Sequence, residues 1–334
     1  MPQVNLLERP SPPDYVQFAP GFGQRFLVTV DTEEEFDWTG PIRREGHTLH
    51  SVPAMATFQA LCESHGVVPV YLVDYPIATS PAAFEAIGDA VAHGRAEVGV
   101  QLHPWVSPPF DEHVTEYNSY AGNLPFELER QKFRTLRDTI EHAFGRAPLI
   151  YRAGRYGLGT RTAEILAENG LTIDTSVRAR FDYSGKGGPN YRDHPVRPYW
   201  IDRSRNLLEL PLTTVFWGPL RQLGGAIYPY MWRAPSARGM LSRARLLERI
   251  PLTPEGVTAD EAVRGIDIAV DEGLPVLVLS FHSPSLAPGF TPYVRDEADL
   301  ARLYDWWRTI FAHLARRNVQ PTSVADIMAS VALA

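Results

Sequence analysis

Seven short apolar runs, each separated from the next by a stretch of helical period or an irregular excursion, constrain this chain more than any other feature. They are FLVTVD (26–31), VVPVYLVD (67–74), AEVGVQL (96–102), APLIYRA (147–153), LTIDTSV (171–177), LLELPLTT (207–214) and LPVLVLSFH (274–282). Continuous apolar runs are how strands buried on both faces read, and strands alternating with helices must lie parallel, because each helix returns the chain to the same end of the sheet. Helical period occupies 52–65, 81–93, 126–144, 160–169, 258–272 and 296–318. Gly66, Gly94, Gly145, Gly170 and Gly273 fall at or near helix ends, where a left-handed C-cap is expected. The pattern predicts an α/β fold with a parallel sheet.

At about 150 residues per domain, 334 residues suggest two domains, but parallel α/β barrels of this size commonly form one. No internal repeat or low-complexity tract divides the chain. The expected organisation is an irregular lead-in over 1–24, rich in Pro and Gly, and one barrel domain over 25–334. Long excursions at 178–206 and 215–257 interrupt the rhythm with Pro, Gly, Arg and Trp.

Composition excludes several functions. Apolar residues at 44% and charged residues at 21% are enough for a large core, so extended disorder is ruled out. A net charge of −7 without any basic run argues against a nucleic-acid partner. No window approaches 18 consecutive apolar residues, so no membrane span is expected. The single Cys62 can form neither an internal disulfide nor a thiolate metal cluster, which suits a reducing compartment. The N-terminal MPQVNLLERPSPPDYV has acids and prolines where a secretory signal needs a basic start and an apolar run, and the sequence reads as cytoplasmic.

In parallel α/β sheets and barrels, reactive groups gather where the strands end, because the loops there converge without disturbing the core. The strand ends carry Asp31, Asp74, His103, Arg152, Asp174 and His282, the parts of a hydrolytic site. In VTVDTEEEFDW, Asp31, Glu33, Glu34 and Glu35 crowd four acids into five positions, so a positive partner is expected nearby. Alternation sends Asp31, Glu33 and Glu35 to one face and Glu34 to the other. Asp31 and Glu33 can then reach one metal ion or one water; the alternative is a solvated acidic loop. His103 is stiffened by Pro104, which restricts it to extended backbone, and its imidazole suits a divalent metal or a structural hydrogen bond. Gln101 and His113 are secondary candidates. Arg152 and Arg155, in YRAGRYGLG, can neutralise the acids or bind an anion; the glycine spacing is wrong for a dinucleotide fingerprint. His282 ends an apolar strand and suits proton transfer at neutral pH. No GxSxG elbow accompanies the nearby serines.

These residues, in this order, resemble the polysaccharide deacetylase family, also called carbohydrate esterase family 4 or the NodB-homology group, and look most like its WalW-type branch. The resemblance covers roughly 25–320. It implies a distorted (β/α)7 barrel that uses a divalent metal, usually zinc, to remove an acetyl group from an N-acetylated sugar. It makes Asp31 the catalytic base, Arg152 the residue that orients it, Asp174 the buried acid of the fourth motif and His282 the general acid. Thr32 stands where the family has a metal-binding Asp, with Glu33 as its substitute. In place of two histidines four residues apart, the chain offers Gln101 and Trp105 with His103 between them. The implied metal set is therefore Glu33, His103 and Gln101.

The mechanism that follows is hydrolysis of an amide in a carbohydrate or other small molecule. Aromatics of the excursions (Tyr183, Tyr191, Tyr199, Trp200, Trp217, Tyr228 to Tyr230) and NSYAGNLP (118–125) either bind the sugar or pack the excursions onto the barrel. Two alternatives stay open: an amidohydrolase cleaving a non-sugar C–N bond of the ureide type, and a barrel that has lost metal and acts by binding. Asp31, His103, Arg152 and His282 are expected to converge on one cavity. Asp31→Asn is expected to abolish turnover with melting nearly unchanged.

Overall fold

The computed structural model describes residues 5–201, 206–231 and 244–331. All seven apolar runs become parallel strands: β1 (Arg25–Thr32), β2 (Val70–Val73), β3 (Glu97–Leu102), β4 (Ile150–Ala153), β5 (Ile173–Asp174), β7 (Leu208–Glu209) and β10 (Val276–His282). The sheet runs β10-β1-β2-β3-β4-β5-β7, with the short antiparallel β6 (Tyr199–Trp200) beyond β7, and β11 (Gln320–Pro321) pairing with β1. A separate antiparallel ribbon joins β8 (Thr214–Trp217) to β9 (Glu248–Pro251).

The sheet curls. Between β7 and β10 the circle is completed by single bonds: Thr213 N donates to Val278 O (3.3 Å), Val278 N to Thr213 Oγ1 (2.9 Å) and Ser280 N to Leu252 O (3.1 Å). The result is the distorted (β/α)7 barrel.

Strand alternation sorts side chains into two sets. Leu27, Val70, Leu72, Ile150, Ile173, Leu208, Leu210, Val276 and Val278 point inward and fill the lower interior. Phe26, Val28, Val30, Tyr71, Val73, Tyr151, Leu277, Leu279 and Phe281 point outward to meet the helices. Each fully buried residue of this size contributes about 1.5–3 kcal/mol.

The helices are α1 (Met55–Ser64), α2 (Tyr75–Ala78), α3 (Pro81–Ala92), α4 (Phe126–Phe144), α5 (Thr162–Glu168), α6 (Gly224–Met231), α7 (Ala259–Asp271), α8 (Glu297–Arg316) and α9 (Val324–Ser330). In α4 the buried Phe133, Leu136, Ile140 and Phe144 recur every three or four residues, giving one apolar stripe. That helix stops at Gly145, whose φ of +65° lets its N–H turn back to Glu141 O. α7 starts at a capping box in which Thr258 Oγ1 accepts from Glu261 N while Thr258 N donates to Glu261 Oε2 (2.7 Å). α8 buries Trp307 against Phe58 and Phe281.

The first excursion contains a 3-10 turn at Ser184–Lys186 and β6; the second contains the β8–β9 ribbon and α6. Residues 202–205 and 232–243 of these excursions, and 1–4 and 332–334 at the termini, lie outside the described residues. Among the described residues no helix is long and apolar enough to cross a membrane.

Candidate active site

Because the seven strands are parallel, their C-terminal ends open on one mouth. Above the apolar layer the inward positions turn polar. Thr29 lies beside Ser280 in register, Asp31 beside His282, and Gln101 beside Arg152. Asp31, Glu33, Gln101, His103, Arg152 and His282 all line one cavity of about 1120 Å³.

Arg152 organises the floor. Its buried fork donates through Nε to Thr175 O (3.0 Å), through Nη1 to Asp31 Oδ1 and Ser280 Oγ (3.1 Å), and through Nη2 to Thr29 Oγ1 (3.0 Å). Two strands, β1 and β10, and the segment after β5 thus hold one guanidinium, which in turn fixes the Asp31 carboxylate. Asp31 Oδ2 remains for the cavity, 3.6 Å from His282 Nε2.

His282 is held from behind. Glu255 Oε2 lies 2.6 Å from its Nδ1, and Glu255 Oε1 accepts from the His282 backbone N–H (3.1 Å) and from Ser285 Oγ (2.6 Å). Burial works against a charged imidazole, but Glu255, then Glu33 and Asp31, outweigh it and push the pKa up to about 10. At neutral pH His282 is an imidazolium whose Nε2–H faces Asp31. The edge of Trp38 meets its ring, with centroids 4.9 Å apart.

The other half of the site surrounds His103. Glu34 Oε2 lies 3.0 Å from Nδ1, and Glu34 Oε1 accepts from Trp105 Nε1 (2.7 Å). Asp74 accepts from Glu34 N and from Ile77 N, both at 2.9 Å, the latter capping α2. A proton on Nδ1 leaves the Nε2 lone pair toward the cavity, where Glu33 Oε2 stands 3.3 Å away and also accepts from Gln101 Nε2 (3.1 Å). Burial raises Glu33 to about 8, more than His282 and His103 lower it. Burial likewise raises Glu34, and raises Asp74 well above the usual carboxylate range, Glu34 adding to the latter. His103 packs on Gly154 so closely that a Cβ there would lie 2.4 Å from the ring, which is why a glycine directly follows β4.

Two donor sets meet at this imidazole. Ligand atoms of Glu34, Asp74 and His103 all lie within 4.8 Å of one another, which meets the spacing for a metal ion. Their carboxylate oxygens, however, already accept from the protein. On the cavity side, Glu33 Oε1 and Gln101 Oε1 are buried with no hydrogen-bond partner among the described residues. Two orphaned oxygens beside an imidazole nitrogen fit a divalent ion, with Glu34 and Asp74 orienting the imidazole from behind.

Several expected placements differ. Asp174 does not join the cavity: one residue after inward Ile173, it faces outward beside Glu209, its register partner, and accepts from Ser176 Oγ (2.6 Å). Glu35 leaves the face of Asp31 and Glu33 and instead accepts from Thr48 Oγ1 and Ser51 N, because the chain departs from strand geometry after Thr32. His113 is exposed and does not line the cavity. Tyr191, Tyr199 and Trp200 are buried in packing, and of the excursion aromatics considered only Tyr183 lines the cavity. From NSYAGNLP only Tyr120 does so; Asn118 and Asn123 bond to backbone carbonyls. Sequence reasoning missed Glu34, Asp74 and Glu255 as partners of the two imidazoles. Asp74 stood at a strand end and carried a signal, whereas Glu255 lies in an excursion without periodicity.

The chain is thus a parallel α/β barrel with paired carboxylates and imidazoles at its mouth. No family model and no curated protein matches the sequence. Among solved structures, the chain is similar to the 4-alpha-glucanotransferase of Thermococcus litoralis (TM-score 0.53, 10% identity, 93% of this chain and 41% of that one). It is also similar to the Bc1960 peptidoglycan N-acetylglucosamine deacetylase (TM-score 0.45, 12% identity, 93% of this chain and 91% of that one). A third match is the family 4 carbohydrate esterase from Streptomyces lividans (TM-score 0.44, 10% identity, 92% of this chain and 97% of that one). At such identities the likeness is one of fold, and polysaccharide deacetylases, the family the strand-end residues resemble, are among these neighbours.

Proposed function

We propose that the protein is a metal-dependent hydrolase that removes the acetyl group from an N-acetylated sugar. One observation carries this reading: Asp31 and His282 face each other at 3.6 Å across the cavity floor, each secured from behind by a group of opposite charge, Arg152 and Glu255. Glu33, His103 and Gln101 are the residues that would hold the ion. When bound, a divalent ion lowers the pKa of water and polarises a carbonyl.

Asp31 Oδ2 accepts a proton from the attacking water, while Arg152 holds the carboxylate in register. His282 Nε2–H delivers a proton to the amide nitrogen as the C–N bond breaks, so that the sugar leaves as an amine and the acyl group as acetate. Asp31 then returns its proton to His282 across the same gap, and both groups are reset. Glu255 stabilises the imidazolium that must exist before the leaving group departs. The cavity exceeds the range of about 300–1,000 Å³ common for drug-sized ligands and has room for more than one sugar unit.

The test is acetate release from N-acetylglucosamine oligomers by protein stripped of metal and then given zinc, cobalt or nickel. Release that requires metal is the expected result. Opening of a cyclic ureide without acetate release would move the assignment to the ureide-type amidohydrolase, and binding without turnover of either would leave a sugar-binding barrel.

A further inference from the structure

The cavity contains a cation that the hydrolytic machinery does not use. Arg178 stands on the extended segment after β5, bridged to Leu212, and its half-buried side chain lines the same cavity. The other two cavity arginines of this region have carboxylates: Arg152 has Asp31, and Arg155 has Glu116 at 3.3 Å. Arg178 has no carboxylate partner among the described residues. The groups facing it are phenols, those of Tyr156, Tyr183 and Tyr293. Its guanidinium lies over the Phe181 ring (4.1 Å to the centroid) and beside that of Tyr156 (5.2 Å), and Nη1 donates to the Tyr183 hydroxyl at 3.3 Å.

Those rings fix the plane of a fork that has five donors, with a single hydrogen bond drawn from it among the described residues. The wall is costly to build. Arg155 and Tyr156 are consecutive non-glycine residues in the left-handed region (φ of 55° and 61°), held by Arg155 on Ser119 Oγ and by the Tyr191 hydroxyl on Tyr156 O (2.5 Å). Backbone strain of this kind persists where the surroundings over-determine it, commonly at ligand-binding surfaces. A rigid, half-buried guanidinium without a counter-charge is a receptor for an anion, and the planar fork matches a carboxylate or a phosphate.

We propose that Arg178 binds an anionic group, carboxylate or phosphate, on the substrate, so that the protein acts on an acidic or phosphorylated N-acetyl sugar. This rests on reading the cavity as a deacetylase site. The test uses N-acetylglucosamine, N-acetylglucosamine 1-phosphate and N-acetylmuramic acid with the full chain, its Arg178→Gln and Arg178→Lys variants and metal. Steady-state acetate release gives kcat and KM. Calorimetry on an Asp31→Asn background gives Kd without turnover, and melting curves check the fold.

The wild type is expected to favour one charged sugar over the neutral one by about tenfold or more in kcat/KM, mainly through KM. That preference should fall about tenfold in Arg178→Gln and less in Arg178→Lys, which keeps the charge but not the fork. Whether phosphate or carboxylate is preferred identifies the anion. Equal use of charged and neutral sugars by the wild type overturns the proposal without needing any variant, and so does a preference that survives in a natively melting Arg178→Gln protein. Arg178-dependent binding of a charged sugar with no acetate released from any of the three would uphold the anion site and remove the deacetylase reading. Acetate released equally from all three would do the reverse.

Discussion

The two halves of the cavity floor differ in how their charges balance. Around Asp31 and His282, two carboxylates (Asp31, Glu255) face two cations (Arg152, His282), and every hydrogen-bonding atom directed away from the cavity is engaged. Around His103, three carboxylates (Glu33, Glu34, Asp74) face one imidazole. The first half sets each of its acids beside a strong donor. In the second, burial raises the pKa values of all three acids, and two oxygens have no hydrogen-bond partner among the described residues. The difference teaches how the proposed roles would divide: the balanced half has the paired charges that proton transfer needs, whereas the acid-rich half has the donor set that would hold a divalent ion.

The largest expected effect comes from breaking the balanced half. Asp31→Asn should lower kcat by about a thousandfold or more in an acetate-release assay. Contrary to the expectation from sequence, its melting should also fall, because Arg152 is fully buried and Asp31 is its ion-pair partner. An unpaired buried guanidinium costs on the order of 3 kcal/mol, which thermal denaturation would register; full activity would refute the base assignment. A smaller effect tests the unbalanced half. Divalent metal at about 100 times Kd should stabilise the wild type by about 2.7 kcal/mol, and Glu33→Gln should remove most of that shift while leaving the metal-free melting point unchanged or higher. An equal metal shift in both proteins would assign the ion elsewhere, with Glu34 and Asp74 the next residues to substitute.

The smallest effect is a displacement along the pH axis. His282 is charged below about 10, so its imidazolium supplies both stability and the leaving-group proton below that value and loses both as pH rises through it. Glu255→Gln removes the principal group raising that pKa. The alkaline limb of the kcat/KM profile should therefore move down toward the ordinary histidine value near 6.5, with activity retained at pH 6. An unmoved limb would show that another acid donates the proton.

The fold was legible because its signals are local. Apolar runs of strand length alternate with amphipathic stripes, and glycines stand at helix ends. All seven runs emerged as parallel strands, and Gly66, Gly94, Gly145, Gly170 and Gly273 all have positive φ. The site was legible to the extent that strand ends point one way: Asp31, His103, Arg152 and His282 reached one cavity by parity and direction alone. Asp174 failed that logic by a single residue, since parity around Ile173 turns it outward, and a two-residue strand gives no alternation from which to read the phase.

The order of residues along the chain therefore determined the barrel, the end at which chemistry collects and the identity of the inward polar groups, because periodicity and chain direction are properties of consecutive residues. Only the tertiary structure decided which acid faces which base. Glu255 arrives behind His282 from an excursion, and Glu34 and Asp74 close behind His103 from two different strands' loops. It also decided that Arg178 would have no carboxylate partner among the described residues. Charge balance and burial depend on what packs from every side, and that information is carried by contacts between residues remote in sequence.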